Sequence, residues 1–350
     1  MDLCALRHNV RELKNRANDA RLMAVVKADA YGHGAVPVSK AALEAGADSL
    51  AVVTTEEAAE LREAGITAPV LVFTDLHPEK LPLAKSLGLT VTAHSLESAR
   101  RIARVPGLAA HLKVNTGMNR WGVRPEEVGE ACRILGAGLT GVYTHFASAD
   151  SDKPNRGATQ EQILCFEDVL DSRSFGDVVV HASNSAATLW HPAARYDCVR
   201  PGVALYGLHP AGDDAADENL RPVMSLKSYV ADVRKLGAGE GVSYGLTFRA
   251  RDETFVATVP VGYAEGYRRT LSGVSEAVIG GYRRPLLGRV TMDASVFECG
   301  SETQVGEEVV LLGSQGDEVV SAEELGGRAG TINYEITTGV NPRRVERRFV

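Results

Sequence analysis

Eight short apolar runs alternate with helical segments along the first part of the chain, and this alternation constrains the fold more than any other feature. The runs are LMAVVK (22–27), SLAVV (49–53), PVLVF (69–73), LTVTA (89–93), AAHLKVN (109–115), LTGVYTHF (139–146), VVVHAS (178–183) and CVRPGVALY (198–206). Such continuous runs are typical of parallel strands, which are buried on both faces. The segments between them, such as 55–64 and 95–103, begin with N-capping residues and have acidic side chains in their first turns.

Eight strand–helix units of this kind predict an N-terminal (β/α)8 barrel, a fold of the α/β class. An open doubly wound sheet is the structural alternative. No GxGxxG motif follows the first strand, however, and this weakens the case for a dinucleotide-binding fold.

The second part of the chain has a different pattern, which begins near the polar stretch GDDAADEN at 212–219. β-rich runs separated by glycine turns follow, and Ser321 with Glu324 predicts the start of one short helix over 321–328. The β-rich runs span 225–233, 253–261, 276–279 and 308–312. We therefore predict two domains, a barrel over 1–218 and a smaller, mainly-β domain over 219–350.

Composition and charge exclude several classes of protein. The 350 residues are 44% hydrophobic and 24% charged, as in ordinary soluble globular proteins, and the net charge is −7. This acidic balance argues against a nucleic-acid partner, and the short basic run at 343–348 is typical of a solvated chain end. The five scattered cysteines predict neither a disulfide framework nor a metal site. No apolar stretch is long enough to span a bilayer, so we expect a cytoplasmic protein without a membrane partner.

Several unusual side chains fall at the C-terminal ends of the predicted strands, where (β/α)8 barrels place their reactive groups. Lys27 ends the first strand, Lys113 the fifth and His145 the sixth. Residues 183–185 follow the seventh strand, and Arg200 and Gly202 lie in the eighth. A single strand-end lysine is most often a surface residue, so the convergence of these groups carries the argument.

Lys27 is the strongest candidate for chemistry. An amine that emerges from an apolar strand loses its charge by desolvation, which makes it a nucleophile able to form a Schiff base. A surface lysine paired with Asp29 is the alternative. Barrels commonly bind a phosphate after strands seven and eight, where Ser185 and the backbone of Gly202 and Val203 provide donors.

Nine motifs in the correct order connect the chain to a known family. They are VVKADAYGHG (25–34), LKVNTGMNRWG (112–122), YTHFASAD (143–150), HASNSA (181–186), VRPGVALYG (199–207), GVSYG (241–245), VPVGYAEGY (259–267), GRVTMD (288–293) and TINYE (331–335). On these motifs the chain closely resembles alanine racemase, a fold-type III enzyme family that uses pyridoxal 5'-phosphate (PLP). The resemblance covers nearly the whole length.

The resemblance implies a two-base racemisation of alanine that supplies D-alanine for peptidoglycan synthesis. Lys27 then holds PLP covalently and serves one face of the substrate Cα, while Tyr244 serves the other face. In the family this tyrosine comes from the second subunit, so the resemblance implies a homodimer with shared active sites. It also implies a chain of support in which Arg200 assists His145 and His145 assists Tyr244.

Further site residues follow from the same resemblance. Arg200 matches the residue that faces the pyridine nitrogen of PLP, where an arginine donates a hydrogen bond without giving up a proton and so keeps the ring a weaker electron sink. Arg120 matches the contact to the cofactor's phenolic oxygen and the substrate carboxylate. Lys113 matches a lysine that some members carry as a carbamate, and an unmodified lysine stays an open alternative.

The remaining assignments concern the phosphate, the substrate and the entrance. Met292 matches a backbone contact to the substrate carboxylate, and Tyr263 a narrow entrance, both from the partner subunit. The expected cofactor residues are Lys27, Tyr31, His145, Asn184, Ser185, Arg200, Gly202, Val203 and Tyr334. One departure is Thr291, where the family often has cysteine.

Two other functions stay open at this point. The first is a racemase of the same fold that accepts serine or a broader set of amino acids. The second is a PLP-binding barrel protein without catalysis, but such proteins usually lack the second domain that contains Tyr244 and Met292. A PLP-dependent decarboxylase would need an acidic partner for the pyridine nitrogen, and Arg200 argues against it.

Overall fold

The computed structural model describes residues 1–152 and 154–350, which form two compact units. The barrel unit comprises Cys4–Ala211 and Ala216–Arg221. The β unit comprises Met1–Leu3, Gly212–Ala215 and Pro222–Val350. The functional division into domains at residue 218 stays a prediction.

Eight parallel strands close the barrel in chain order, which confirms the predicted fold class. They are β1 (Arg21–Val25), β2 (Ser49–Val52), β3 (Val70–Val72), β4 (Thr90–Ala93), β5 (Ala109–Lys113), β6 (Leu139–Tyr143), β7 (Val179–His181) and β8 (Cys198–Val199). The ring closes where Arg21 and Leu22 of β1 pair with Cys198 and Val199 of β8.

In chain order, one helix of the barrel unit precedes β1 and one follows each of the strands β1 to β7. These helices are α1 (Leu3–Ala17), α2 (Ala35–Glu44), α3 (Thr55–Glu63), α4 (Leu81–Ser86), α5 (Leu96–Ala103), α6 (Val128–Leu135), α7 (Gly157–Asp171) and α8 (Ser185–Trp190). Ser95 caps α5 with its side-chain oxygen, as the sequence predicts, whereas the cap of α3 is Thr54, one residue before the predicted start at 55. The described helices include none that is long and apolar enough to cross a membrane.

The strands are buried on both faces, as their continuous apolar sequence predicts. Every residue of β1 except Arg21 is buried. Met23, Val25, Ala51 and Leu71 belong to one apolar cluster contributed by three successive strands. Desolvating these side chains supplies the main stabilisation of the barrel, at about 25 cal/mol for each Å² of apolar surface removed from water.

Several predicted strands are longer than the observed ones, and the corrections concern the residues nearest the site. Lys27 follows β1 by two residues instead of ending it, and His145 follows β6 by two residues. Arg200 and Gly202 lie after β8, which has only two residues, and Val203–Tyr206 forms a short 3-10 helix. Apolar character continues past the strand ends because the following turns are also buried.

The β unit contains three sheets. Its strands are β9 (Leu226–Tyr229), β10 (Asp232–Leu236), β11 (Gly241–Val242), β12 (Phe248–Arg249), β13 (Thr254–Val259), β14 (Glu276–Ile279), β15 (Tyr282–Pro285), β16 (Ser295–Glu298), β17 (Glu308–Gln315) and β18 (Glu318–Val320). One sheet has the order β10–β13–β16, a second is the pair β11–β12, and the third has the order β15–β14–β17–β18 with β9 also paired to β17.

The helices of the β unit are α9 (Ala322–Ala329) and α10 (Asn333–Thr338). Ser321 caps α9 by accepting a hydrogen bond from the Glu324 N–H, as predicted. The β-rich run predicted over 225–233 contains β9 and the start of β10, which belong to different sheets. The mainly-β character of this region is confirmed.

Candidate active site

The backbone after Lys27 turns in a left-handed helical conformation. Four successive non-glycine residues, Ala28 to Tyr31, have φ between 52° and 54°. L-residues avoid this region because Cβ crowds the following carbonyl oxygen, at a cost of roughly 1–2 kcal/mol for each residue. The chain tolerates such strain mainly at functional sites where surrounding contacts hold it.

Glu57 supplies one of those contacts from the first turn of α3. One oxygen of its carboxylate accepts from the N–H of Ala28 at 2.7 Å, and the other accepts from Val53 and Thr54 at 2.7 and 3.1 Å. The same residue therefore closes the cap of α3 and fixes the backbone beside Lys27. Asp29 adds a second contact, since its side chain accepts from the Ala35 N–H at 2.8 Å.

The side chain of Lys27 is half-buried, and its environment disfavours the charged form of the amine. Burial lowers its pKa, the Arg120 cation lowers it further, and Glu57 opposes the shift. The Nζ atom lies 6.0 Å from the centre of the Tyr31 ring. A lysine in this environment is neutral more often than a surface lysine, as a nucleophile or base must be.

Lys113 is a second amine with a lowered pKa. It ends β5, is buried, and has a pKa of about 7, because burial and the cations of Arg120, Arg200 and Lys27 disfavour its charged form. Its Nζ lies 5.8 Å from the ring centres of both Trp121 and Tyr143. Arg120 is exposed beside it, with the guanidinium carbon 6.0 Å from the Trp121 ring centre.

Arg200 is almost completely buried, and its two Nη atoms donate to neutral acceptors. One Nη donates to Nδ1 of His181 at 2.7 Å, and the other donates to the carbonyls of Thr144 and Ala182 at 2.8 Å. A longer contact of 3.4 Å joins it to Nδ1 of His145. Burial lowers its pKa to about 10, so the guanidinium stays protonated at neutral pH and acts only as a donor.

Two buried histidines beneath Arg200 were missed by the sequence reasoning. Arginine only donates, so Nδ1 of His181 accepts and a neutral His181 has its hydrogen on Nε2. That Nε2 lies 2.8 Å from Nδ1 of His111, which accepts in turn. Burial and the Arg200 cation hold the pKa of both histidines below the usual value, so both are neutral. The available signal was a histidine inside an apolar strand, once in β5 and once in β7.

His145 lies at the centre of this cationic group. Burial first, and then the charges of Arg200, Lys113, Arg120 and Lys27, hold its pKa well below the usual range. These four predicted residues and His145 are therefore brought together at one end of the barrel. A neutral His145 can accept a hydrogen at one ring nitrogen and donate one at the other.

Ser185 and Gly202 form a compact polar group after strands β7 and β8. The Ser185 Oγ accepts from the N–H groups of Gly202 and Ala204 at 2.8 and 3.2 Å, which leaves its own O–H hydrogen to donate elsewhere. A Cβ on Gly202 would lie 2.5 Å from the hydroxyl of Tyr31, so glycine alone admits that hydroxyl here. Val203 begins the short 3-10 helix that follows Gly202.

Asn184 has a structural task that the sequence did not predict. Its side-chain oxygen accepts from the Ala187 N–H at 3.0 Å and caps α8. This cap fixes the backbone that presents Ser185, the first residue of the helix.

The other predicted site residues belong to the β unit. Tyr244 is 72% exposed in a strained turn where Ser243 has φ of 63°. Tyr263 and Met292 are also exposed, and their segments are joined by the Tyr263 N–H, which donates to the Thr291 carbonyl at 3.0 Å. Tyr334 is half-buried in the first turn of α10. These four residues all lie in the β unit.

The chemistry of the donor set in the barrel unit fits PLP. Lys27 offers an amine, Arg200 offers a fixed N–H donor for a ring nitrogen, and the hydroxyls of Tyr31 and Ser185 meet at the backbone of Gly202. Hydroxyls and backbone N–H groups are the donors that phosphate needs. In the described part of the chain, no group of three or more metal-binding side chains is arranged to hold a metal ion.

Two family models match the chain. The alanine racemase N-terminal domain matches residues 1–210, and the alanine racemase C-terminal domain matches residues 223–349. Among curated proteins, the alanine racemase of Symbiobacterium thermophilum is 43% identical and the match covers 99% of this chain and 95% of that protein. Alanine racemase 1 of Bacillus subtilis is 40% identical, with 100% and 92% covered.

Solved structures agree over the full length. The crystal structure of alanine racemase from E. faecalis matches with a TM-score of 0.94 at 35% identity, covering 100% of this chain and 97% of that chain. The structure of alanine racemase from Bacillus anthracis with bound L-Ala-P matches with a TM-score of 0.91 at 38% identity, covering 100% and 93%.

Proposed function

The chain belongs to the alanine racemase family, and from this premise we propose that it interconverts L-alanine and D-alanine with PLP and so supplies D-alanine for peptidoglycan synthesis. The observation that supports the proposal most directly is that the barrel unit contains both a half-buried lysine of lowered pKa, Lys27, and a buried arginine, Arg200, that donates to neutral acceptors. PLP, when bound, supplies the electron sink that makes the Cα–H bond of an amino acid acidic.

Lys27 is proposed to hold the cofactor and then to move a proton at its Nζ atom. A base must lose its own proton before it accepts another, and burial together with the Arg120 charge favours the neutral amine. The left-handed turn from Ala28 to Tyr31 fixes the backbone from which Nζ extends. Holding a catalytic group in the correct position relative to the substrate accounts for a large part of the rate enhancement of enzymes.

Arg200 is proposed to donate to the ring nitrogen without protonating it. Its pKa of about 10 keeps the guanidinium charged at neutral pH, and its other N–H groups are held by His181, Thr144 and Ala182. A donor that keeps its proton limits how far negative charge moves into the ring. Return of the proton to Cα is then favoured over transfer of the amino group.

Ser185, Tyr31, Gly202 and Val203 are proposed to bind the phosphate, together with Tyr334 of the β unit. Arg120 is proposed to bind the substrate carboxylate, and Lys113 to orient Arg120. If Lys113 reacts with carbon dioxide, the resulting anion would hold the guanidinium by charge-assisted hydrogen bonds. The pKa of about 7 supports this reaction, because the neutral amine is the reactive form.

The β unit is proposed to complete the site of a second subunit in a homodimer. Tyr244, Met292 and Tyr263 are 72%, 52% and 42% exposed. Large apolar side chains that are exposed together are typical of a surface that a partner covers. In a dimer these side chains would be covered, and Tyr244 would serve the Cα face opposite Lys27. The location of the protein in the cytoplasm stays a prediction.

A racemisation assay on the purified chain tests the proposal. L-alanine and D-alanine are supplied separately, with and without added PLP, and optical rotation is followed while sizing is done at the assay concentration. We expect both enantiomers to reach the same end point only with PLP bound, in fractions that elute as a dimer. Loss of optical activity with serine but not with alanine would instead support a racemase of different substrate preference.

A further inference from the structure

Two segments of the β unit, both with proposed substrate roles, lie backbone against backbone. The entrance loop (261–267) contains Tyr263, and the methionine turn (291–294) contains Met292. The N–H of Tyr263 donates to the Thr291 carbonyl at 3.0 Å, and the N–H of Ala264 donates to the Met292 carbonyl at 2.9 Å. A Cβ on Gly262 would lie 2.2 Å from the Thr291 oxygen, so the close approach requires glycine there.

A single arginine from the C-terminal segment binds one carboxylate in each of these two segments. The Nε of Arg344 lies 2.5 Å from Glu265 of the entrance loop, and an Nη lies 2.6 Å from Asp293 of the methionine turn. Glu265 is buried, and its other oxygen accepts from the Gly262 N–H at 2.9 Å. The guanidinium therefore joins the entrance loop to the residue directly after Met292.

Asn341 attaches the same C-terminal segment to the entrance loop a second time. Its backbone N–H donates to the Glu265 carbonyl at 3.1 Å, and its side-chain amide donates to the Ala264 carbonyl at 3.0 Å. Its own carbonyl accepts from the N–H of Arg344 at 3.1 Å. The backbone of Arg344 is thus fixed relative to the loop that its side chain binds.

Resting on the proposed function, we propose that Arg344 is a positioning residue that holds Tyr263 and Met292 in the arrangement needed for substrate entrance and carboxylate binding. Removing it would leave two carboxylates on neighbouring segments, one of them buried, without their shared cation. The segments would then separate or exchange between arrangements. The ion pairs of Arg344 are with Glu265 and Asp293, so we expect binding to suffer more than proton transfer.

The test compares Arg344→Gln with Arg348→Gln in the full chain with PLP. Arg348 belongs to the same basic run but pairs with Glu346, two residues away on the exposed chain end. We expect Arg344→Gln to raise KM for alanine about 10-fold and to change kcat by less than about 2-fold. Arg344→Lys, which keeps one cation but not the two-pronged geometry, should recover part of the loss. Arg348→Gln should behave like the unchanged chain.

Hydrogen–deuterium exchange provides a readout that does not depend on activity. The amides of Tyr263 and Ala264 should exchange faster in Arg344→Gln, while the amides of the barrel strands stay unchanged. Asp293→Asn should give the same effects more weakly, because it removes only one of the two ion pairs. Its side chain is 60% exposed, so this variant still tests the proposal if the arginine variant misfolds. Unchanged KM with unchanged exchange in both variants, or a fall in kcat alone, would overturn the proposal. Failure of the unchanged chain to racemise alanine would instead count against the proposed function, and the exchange result would still decide the loop contact.

Discussion

The side chain of Lys27 extends from the most strained backbone near the site. Nothing in the letters ADAY indicates positive φ at residues Ala28 to Tyr31. The conformation depends on tertiary contacts, chiefly the Glu57 carboxylate that accepts from the Ala28 N–H. The sequence therefore predicts the lysine but places it at the end of the strand, and it does not predict the turn that orients it.

Replacing Lys27 with alanine should abolish racemisation and covalent retention of PLP. The variant lacks the amine that is proposed both to hold the cofactor and to move the proton at Cα. Activity is followed by optical rotation, and covalent retention by mass spectrometry after borohydride reduction. Full racemisation in this variant would show that another group is the base.

Tyr244→Phe should impair removal of the Cα proton from one enantiomer more than from the other. The variant keeps the ring but loses the hydroxyl, so one face of Cα loses its proposed base while the face served by Lys27 keeps its own. Solvent deuterium incorporation into unconverted L-alanine and D-alanine, measured separately, reports proton removal from each enantiomer. Equal and negligible effects on both enantiomers would contradict the two-base scheme.

Lys113 should take up carbon dioxide more readily as the pH rises through 7. Its pKa is lowered to about 7, so the ammonium form predominates below that pH and the neutral, reactive amine above it. We expect a carbamate signal in ¹³C NMR with labelled bicarbonate that is strong at pH 8 and weak at about pH 6. Lys113→Arg is the control, since its guanidinium stays protonated. The same signal in both proteins would rule out this lysine as the site.

The histidines beneath Arg200 mark the limit of residue-by-residue reasoning. His111 and His181 are 70 positions apart in sequence, and folding of the barrel brings Nδ1 of His111 to 2.8 Å from Nε2 of His181. A histidine in an apolar strand predicts a satisfied core residue equally well. Their role in supporting Arg200 follows from the order of the strands, which periodicity alone does not give.

At the scale of elements, capping signals were predicted more accurately than strand ends. Ser95 and Ser321 cap the helices that the sequence assigns to them, and the cap of α3 is Thr54, only one residue before the predicted start, because capping depends on local geometry. The C-terminal ends of β1, β6 and β8 were placed too late, because the turns that follow are buried and apolar as well. Lys27, His145 and Arg200 therefore sit on turns after the strands, whereas Lys113 is the last residue of β5.

Two adjacent glycines of α9 should respond oppositely to alanine. A Cβ on Gly327 meets no atom within 4 Å, so Gly327→Ala should stabilise the chain by about 0.5–1 kcal/mol through helix propensity. A Cβ on Gly326 would lie 2.9 Å from the Asn333 backbone nitrogen, so Gly326→Ala should cost about 1–3 kcal/mol and shift α10, which contains Tyr334. Urea unfolding measures both. Similar effects of the two substitutions would contradict the packing of α9 on α10.

At the scale of the whole molecule, the sequence predicted a barrel followed by a mainly-β region, and both are confirmed. The interpretation of 343–348 as a solvated chain end is wrong for Arg344, which pairs with Glu265 and Asp293. The composition of the run does not indicate these ion pairs, because the two carboxylates lie about 50 and 80 positions earlier in the sequence. The ion-pair partners of a charged run are therefore identified only from the folded structure.

Each proposed active site combines Lys27 of one chain with Tyr244 of another, and mixing of subunits tests this arrangement. We expect Lys27→Ala and Tyr244→Ala chains to be inactive on their own. Co-expressed, they form mixed dimers in which one site has both intact residues, so activity should return to roughly one quarter of the unmutated level when dimers assemble at random. If the two residues act within one chain, every site in the mixture lacks one of them, and the mixture would stay inactive.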